Sequence, residues 1–357
     1  MERFGFVGLP NAGKSSLYNA LSGGGALAAP YAFATVDPNV GVAKVPDPRV
    51  EALGEMSKTK TLVHASVQFV DIAGLVKGAA QGEGLGNRFL AHIREVDAIV
   101  FVLRAFVDDD VPGSHDPLEQ LDILETELIY ADLETLEKQV DKRRKAAKGD
   151  KSILDEVAAM QQAIEVLQSG VALYRSELDD DTRALLRPYF LLTNKAAMAV
   201  VNIDEGQLAD VESIVAPVRE AMRGAEVVGA CIQLEAEAVL LDAEERAEML
   251  EALGLGDGAL ARFLRAAYQM LGLRTYLTTG EKETRAWTFR AGAKAPQAAG
   301  VIHTDFERGF IRAETISYDE LIAAGSWAKA KELGKVRLEG KDYVVADGDV
   351  MEFRFNV

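Results

Sequence analysis

Cysteine is almost absent from this chain: Cys231 is the only one among 357 residues, so no disulfide framework can form within it. Long apolar runs are missing too, since no stretch approaches the ~20 consecutive apolar residues of a membrane helix. Positive charge is scarce, with 39 Lys+Arg against 56 Asp+Glu and a net charge of -17, which argues against broad attraction to nucleic acid. An RNA partner would therefore have to meet a local basic patch.

These shortages exclude a disulfide-stabilised secreted domain and a helical membrane protein. The first residues predict a strand directly, without the charged and then apolar pattern of a signal segment. We therefore expect a cytoplasmic protein that does not contact a membrane. The length is sufficient for two or three domains.

The strongest motif lies close to the start, where an apolar strand (Phe4–Val7) and a helical pattern (Leu17–Leu21) flank the sequence GLPNAGKSS. This is the G-x-x-x-x-G-K-[ST] phosphate loop, whose glycines let backbone N–H groups turn towards phosphate oxygens. The lysine can reach the β- and γ-phosphates, and the first serine can complete a magnesium shell. The motif predicts that a nucleoside triphosphate is bound by Asn11, Ala12, Gly13, Lys14, Ser15 and Ser16.

Two later segments carry the features of a nucleotide switch. Thr35 is the candidate for closing over magnesium and the γ-phosphate, although a β-branched residue entering the strand Val40–Val45 explains it equally well. Asp71 follows a predicted strand and can hold magnesium through water, while the N–H of Gly74 can sense the γ-phosphate. We predict catalytic roles for Lys14, Thr35 and Gly74, and metal binding by Ser15, Thr35 and Asp71 (via water).

The residue after this D-x-x-G motif is Leu75, where many related hydrolases have a glutamine that orients the attacking water. A leucine cannot hydrogen-bond water, so either another group positions it or hydrolysis is slow. Gln81, His92 and His115 are the polar candidates, and each is explained as well by a solvated loop or helix.

The pattern predicts an α/β fold divided into four segments. Residues 1–116 form the first part of a nucleotide-binding domain, and 117–188 an inserted antiparallel helical hairpin. Its tip is basic between Lys138 and Lys151, which fits RNA contact or simply a solvated helix end. The domain resumes over 189–273, and short strands over 274–357 indicate a small mixed domain.

Base recognition is predicted at the end of a later strand. Asn194-Lys195 resembles the guanine motif N-K-x-D, but Ala197 replaces its aspartate and the motif precedes the strand, so we reject it. Asn202-Ile203-Asp204-Glu205 does follow a strand, with glutamate in last place, and leaves the base preference open. Cys231 and Ile232 follow the next strand, near the expected base site; a small buried packing residue is the simpler explanation for the cysteine.

On these motifs the chain resembles the YchF/Obg-like ATPase family, a branch of the Obg-type translation-factor NTPases. The resemblance extends over essentially the full length. The residues that carry it are Gly8–Ser16, Phe33-Ala34-Thr35 with Pro38-Asn39, Asp71–Ala79, Asn202–Glu205 and Ala295–Ala313.

The resemblance implies a P-loop NTPase fold with an Obg-type G domain, the inserted α-helical hairpin and a C-terminal ubiquitin-like β-grasp (TGS) domain. It also implies slow, Mg²⁺-dependent hydrolysis of ATP in preference to GTP, and association with the ribosome through its large subunit or 70S form. RNA contact would involve the hairpin tip and the TGS domain, and we expect a monomer. By this carry-over Asn202, Ile203 and Glu205 face adenine.

Members of the family often carry a histidine soon after an acidic stretch like Asp108–Asp110, and it is proposed to position the attacking water. Here His115 lies a few places later, and we do not transfer that role to it.

Other functions stay open on the residues alone. The chain could be a binding scaffold that holds ATP without hydrolysing it, which Leu75 favours and Thr35 and Asp71 disfavour. A GTP-specific translation-factor GTPase follows if Glu205 still grips guanine. A small-molecule kinase is disfavoured because no arginine-rich lid accompanies the switch motifs.

Overall fold

The computed structural model describes residues 2–23, 40–72, 85–108, 112–150 and 153–356. These residues form two compact units. The first comprises the described parts of Met1–Ala43 and Val67–Phe263, and the second those of Lys44–Ser66 and Leu264–Val357. Within these ranges, no helix combines the length and apolarity that a membrane crossing requires.

The strands are β1 (Arg3–Val7), β2 (Val40–Lys44), β3 (Thr61–Val63), β4 (Ser66–Asp71), β5 (Ala98–Arg104), β6 (Ala196–Asn202), β7 (Val227–Ala230), β8 (Leu273–Thr278), β9 (Glu283–Arg290), β10 (Phe310–Ser317), β11 (Arg337–Glu339) and β12 (Asp349–Phe355). The helices of the first unit and of its inserted segment are α1 (Lys14–Gly23), α3 (Leu85–Arg94), α4 (Pro117–Ala146), α5 (Leu154–Gln168), α6 (Asp180–Leu186), α7 (Val211–Ala221), α8 (Ile232–Val239) and α9 (Ala243–Ala252). The remaining helices are α2 (Pro48–Met56), α10 (Ala259–Met270), α11 (Ala295–Ile302), α12 (Thr304–Arg308), α13 (Tyr318–Ala324) and α14 (Trp327–Glu332).

The sheet of the first unit is α/β in type, as predicted. Its described strands follow the order β2-β4-β1-β5-β6-β7, and β4, β1, β5, β6 and β7 pair in parallel. Every residue of β5 is buried, because its continuous apolar run suits a strand covered on both faces. The carboxyl ends of these parallel strands meet at one edge, where open α/β sheets bind their ligands.

The inserted segment forms the predicted pair of helices, α4 and α5, around a core of its own that includes Leu136, Met160 and Leu167. The spacing of apolar residues predicts that the second helix extends from about Ile153 to Arg175. It ends at Gln168 instead, because Gly170 has a φ of +81° and only a short 3-10 turn follows.

A buried carboxylate on α4 fastens this segment to the chain that returns to the sheet. Asp132 accepts hydrogen bonds from the N–H groups of Leu192 and Thr193, each at 2.8 Å, and from the Thr193 hydroxyl at 2.7 Å. Burial raises the pKa of Asp132 to about 6, although these donors favour the charged form.

The sequence from Glu235 to Leu253 predicts one helix, but the structure has two in this region, α8 and α9. The chain breaks after Leu240 because Asp242 caps the second helix, accepting from the N–H groups of Glu244 and Glu245 at 3.0 Å each. The break leaves α8 short, with its first residue at the carboxyl edge of the sheet.

The second unit contains a mixed sheet with the described order β11-β10-β12-β8-β9-β3. Pairing is parallel between β12 and β8 and between β3 and β9, and antiparallel elsewhere. Residues 343–345, Tyr-Val-Val, predict a short strand from their composition, but the structure has only an isolated bridge between Lys294 and Val344 there. That this unit is a TGS domain stays a prediction.

Residues 44–66 depart from the predicted division, because they fold with the C-terminal unit although they precede β4. Their strand β3 lies beside β9, with Thr61 opposite Glu283. Thr59 donates from its hydroxyl to the Gly280 carbonyl at 2.6 Å and shares a 2.7 Å hydrogen bond with the Thr284 hydroxyl. These main-chain and side-chain bonds satisfy the edge of β9.

Candidate functional site

The loop between β1 and α1 has the conformation that its glycines allow. Gly13 has a φ of +100°, and Asn11 also has a positive φ of 64°. A Cβ added to Gly8 would lie 2.5 Å from the Val102 carbonyl oxygen, and one added to Gly13 would lie 2.4 Å from Asn202 Nδ2. Both glycines are therefore required by close approach, as the motif predicted.

Lys14, the first residue of α1, is 7% exposed and points back along the loop. Its Nζ donates to the carbonyls of Gly8 at 3.1 Å and Leu9 at 3.0 Å. Burial lowers the pKa of Lys14 from its ordinary value, and the nearby charge of Asp71 offsets part of that effect. The ammonium is thus desolvated at the floor of the loop, where an anionic ligand would favour its charged form.

Ser15 and Asp71 come from different motifs and meet in the structure. The Ser15 hydroxyl donates to Asp71 Oδ2 across 3.0 Å, which joins the start of α1 to the carboxyl end of β4. A hydroxyl and a carboxylate are the hard oxygen ligands that Mg²⁺ prefers, and Mg²⁺ usually keeps several waters beside one or two carboxylates. Within the described ranges no group of three or more His, Cys, Asp or Glu residues forms a fuller metal cage. The pair therefore fits Mg²⁺ bound with water and phosphate oxygens, while Thr35 and Gly74 lie outside the described residues.

A cavity of about 990 Å³ extends from this loop to the ends of β5, β6 and β7. Its lining includes, among the residues predicted from sequence, Asn11, Gly13, Lys14, Ser15, Ser16, Asn202, Ile203, Glu205, Cys231 and Ile232. Ala12 is buried and does not line it; its carbonyl instead accepts a hydrogen bond from the Asn202 side chain at 3.2 Å. The phosphate loop and the end of β6, some 190 positions apart in the chain, thus line the same cavity. This is expected, because the carboxyl ends of parallel strands lie at one edge of the sheet.

Asn202 uses both atoms of its amide within the protein. Its Nδ2 donates to Ala12, and its Oδ1 accepts from the Ile232 N–H at 3.3 Å. The side chain therefore clamps the phosphate loop to the start of α8. Contact of Asn202, Ile203 and Glu205 with a base stays a prediction; all three line the cavity.

Cys231 immediately precedes α8 and is buried on the cavity wall. Burial raises the pKa of its thiol, and the nearby carboxylates of Asp204 and Glu205 act in the same direction. The side chain therefore stays a neutral thiol at pH 7, which agrees with a small packing residue.

Two groups of cavity-lining residues were not predicted from the sequence. The first is in the loop after β5 and comprises Phe106, Val107, Asp108 and Pro112. A second missed group lies on α8 and just beyond it: Gln233, Leu234, Ala236, Glu237 and Leu240. The position of the first group directly after a buried parallel strand was a usable signal, because such loops converge at the same edge.

His92 and His115 are exposed, and neither lines the cavity. Gln81, the third candidate for positioning water, lies outside the described residues, as do Leu75 and the two aspartates after Asp108. Among described residues, then, neither proposed histidine is placed at the phosphate loop.

Two protein families match the chain. Residues 3–195 match a family described as 50S ribosome-binding GTPase, and residues 273–356 match the YchF-GTPase C-terminal family, described as a protein of unknown function. The first match covers the phosphate loop and the inserted helices, and the second covers most of the C-terminal sheet.

Full-length relatives are also found. The chain is 48% identical to the ribosome-binding ATPase YchF of Bacillus subtilis and 46% identical to that of Escherichia coli O157:H7, with 99% of each chain covered in both cases. Among solved structures, the YchF GTPase of Schizosaccharomyces pombe matches with a TM-score of 0.87 at 34% identity, over 99% of this chain and 97% of that one. With relatives 46–48% identical over 99% of both chains and a match to the GTPase family over residues 3–195, the chain belongs to the YchF family of P-loop nucleotide-binding proteins.

Proposed function

We propose that this chain is a ribosome-associated ATPase that hydrolyses ATP, and GTP less well, to ADP and phosphate. The observation that carries the proposal is the meeting of Ser15 and Asp71 beside the buried Lys14, at one end of a cavity large enough for a nucleotide. The names of the relatives, ribosome-binding ATPase in bacteria, support the same activity.

Lys14 and the loop N–H groups perform most of the chemistry, because phosphoryl transfer is mainly positioning and charge neutralisation. We expect Lys14 Nζ to exchange its two carbonyl acceptors for β- and γ-phosphate oxygens. Ser15 would hold Mg²⁺ directly, and Asp71 would hold it through water. When bound, the metal would supply positive charge at the β- and γ-oxygens. Thr35 and Gly74 stay the predicted contacts to the metal and the γ-phosphate.

Turnover without a partner is proposed to be slow. Leu75 offers no hydrogen bond to water, and the two described histidines considered above lie away from the cavity lining. A bound partner, or a rearrangement of the chain after Asp71, would then have to orient the attacking water. If turnover were zero, the chain would be the alternative named above, a binding scaffold that holds ATP without hydrolysing it.

The base end of the cavity can hold a purine. Phe106 gives it an apolar wall against which a flat ring can lie, and Glu205 and Glu237 bring carboxylates to the same end. Carboxylates accept hydrogen bonds from the exocyclic amine of adenine, but the N2 amine of guanine donates to them as well. The proposed preference for ATP over GTP therefore rests on the likeness of Asn202–Glu205 to the base motif of the YchF family.

The ribosome is the proposed partner, and the hairpin tip is the better of the two predicted RNA contacts. Its exposed basic side chains are Lys142, Lys145 and Lys148, together with Arg144, which pairs with Asp141 at 3.2 Å. In the C-terminal unit, the basic residues that could line an RNA-contact face pair with carboxylates: Lys329 with Glu332, Lys331 with Glu314, Lys335 with Glu320 and Arg337 with Glu339. Those pairs weaken the positive electrostatic field that RNA phosphates would meet.

Four further points are part of the same proposal: the TGS assignment, the domain boundaries at 117, 189 and 274, the monomeric state and the cytoplasmic location.

Calorimetric titration with ATP and with GTP, both with Mg²⁺, tests nucleotide choice. Tenfold tighter ATP binding, equivalent to ~1.4 kcal/mol, is the expected result. Tighter GTP binding would make the chain a GTP switch in which Glu205 grips guanine.

Single-turnover hydrolysis of ATP, measured with and without ribosomes, tests whether the chain is an enzyme and whether ribosomes stimulate it. Acceleration by ribosomes is expected. Absence of hydrolysis in both conditions would contradict the enzyme and favour the scaffold.

A further inference from the structure

Arg104, the last residue of β5, is 3% exposed, an unusual position for a guanidinium. Burial of a charge is costly unless its donors are satisfied. Here Nε donates to the Phe106 carbonyl at 3.0 Å, and the two terminal nitrogens donate to the carbonyls of Asp108 at 3.2 Å and Pro112 at 3.5 Å. One side chain thus gathers three carbonyls of the loop that follows it.

The same guanidinium lies behind an aromatic ring. Its central carbon is 4.5 Å from the centroid of the Phe106 ring, a cation–π distance. The main chain of Arg104 is itself fixed by Gln120 on α4, which accepts from its N–H at 2.9 Å and donates to its carbonyl at 2.7 Å. The ring of Phe106 is therefore backed by a charge whose own backbone is anchored to a long helix.

A second contact ties this loop to the loop after β6. Gln207 donates from Nε2 to the Ala105 carbonyl at 3.1 Å, and its Oε1 accepts from the Asp204 N–H at 3.0 Å. The N–H groups of Ala105 and Phe106 also donate to the Asn202 carbonyl, at 2.8 and 3.2 Å. The two loops that form the base end of the cavity are thus locked to each other.

We propose that Arg104 is a positioning residue for the nucleobase: it sets the wall that Phe106 presents to the cavity, without touching the nucleotide. The inference rests on the proposed nucleotide-binding function. A lysine would not replace it, because an ammonium is a point charge, whereas the planar guanidinium reaches several carbonyls and stacks on a ring at once. Arg104 therefore affects base affinity and leaves phosphate binding unchanged.

The test compares ligands with and without a base. We would measure Kd values of the full chain with Mg²⁺ for ATP, GTP and inorganic tripolyphosphate, in the parent and in Arg104→Lys. Affinity for both nucleotides should fall about tenfold, equivalent to ~1.4 kcal/mol, while tripolyphosphate binds as before. Arg183→Lys is the matched control, because Arg183 also donates to two main-chain carbonyls, those of Leu178 and Ser176, but does not line the cavity.

A double-mutant cycle with Phe106→Ala tests the route of the effect. If Arg104 acts through that ring, Arg104→Lys should change ATP affinity little once the ring is removed. An equal loss of affinity for all three ligands, or full additivity in the cycle, would overturn the proposal.

Arg104→Gln provides a second variant, with a shorter side chain that still donates hydrogen bonds. The same base-selective loss is expected. Failure of both Arg104 variants to fold, while Arg183→Lys folds, would make Arg104 a folding residue and also overturn the proposal. Failure of the parent chain to bind ATP or tripolyphosphate would instead contradict the proposed function.

Discussion

Asn202 Nδ2 donates a hydrogen bond to the carbonyl of Ala12 across 3.2 Å, and this one contact joins the end of β6 to the phosphate loop. The other atom of the same amide accepts from the N–H of Ile232. The phosphate end and the base end of the cavity are therefore held at a fixed separation by one side chain.

Asn202→Ala should loosen both ends. Loss of two hydrogen bonds from a buried amide costs about 1–3 kcal/mol in unfolding free energy, because the Ala12 carbonyl and the Ile232 N–H lose their partner. ATP affinity should fall as well, and both are measured by thermal unfolding with and without ATP. Asn194→Ala is the control, since Asn194 bonds one carbonyl, that of Arg183, at 3.2 Å. An unchanged ATP affinity in Asn202→Ala would contradict the clamp.

Gly13→Ala should abolish nucleotide binding. The added Cβ would lie 2.4 Å from Asn202 Nδ2 at a φ of +100°, so the loop or the clamp must shift. The backbone strain alone costs on the order of 1–3 kcal/mol. Gly224→Ala isolates that strain, because Gly224 has a φ of +90° with nothing within 4 Å of the added atom. Calorimetry should find ATP binding intact in this control; equal binding by both variants would show that the contact at Gly13 is unimportant.

Lys14→Ala should remove triphosphate binding and also cost some stability, because the carbonyls of Gly8 and Leu9 lose the ammonium. Lys195 is the matched control: its Nζ donates to the carbonyls of Arg94 at 3.1 Å and Val96 at 2.6 Å, and burial lowers the pKa of Lys195 too. Lys195→Ala should destabilise the fold, since it leaves those carbonyls without the ammonium, yet keep ATP affinity. Titration calorimetry on both variants decides, and tight ATP·Mg binding by Lys14→Ala would refute the phosphate-loop assignment.

Asp132 should make the free energy of unfolding depend on pH in the acidic range. Its pKa in the fold is about 6, above the ordinary value of 3.8, so the folded state binds more protons than the unfolded state between these values. Its contribution to the unfolding free energy therefore decreases as pH rises from about 4 to about 6, and is constant above. The carboxyl carbon resonance of Asp132 should titrate near pH 6. Asp132→Asn should make the stability of the chain less dependent on pH in that window; a midpoint near 4 would contradict the burial effect.

The sequence was sufficient for the parts of the site that depend on local rules. Gly8, Gly13 and Lys14 are spaced by the geometry of one tight loop, and Asp71 follows an apolar strand, so their convergence could be predicted from pattern. The continuous apolar run from Ala98 to Leu103 likewise predicts the buried strand β5.

Long-range packing set the features that the sequence did not predict. Arg104 is a charged residue whose burial depends on carbonyls that only the folded loop brings together. The three-residue strand β3 has no alternation long enough to detect, and its partner β9 lies some 220 positions away in the chain.

Residues 44–66 fold with the second unit, and this has a consequence for how the protein can be divided into fragments. The chain leaves the first unit at Lys44, re-enters it at Val67 and leaves it again after Phe263. A fragment that begins at Leu264 would lack α2 and β3 and would expose the backbone edge of β9, a template for aggregation. No single cut in the gene yields two complete units. Fusion or deletion at one end of the chain therefore cannot add or remove the complete C-terminal unit.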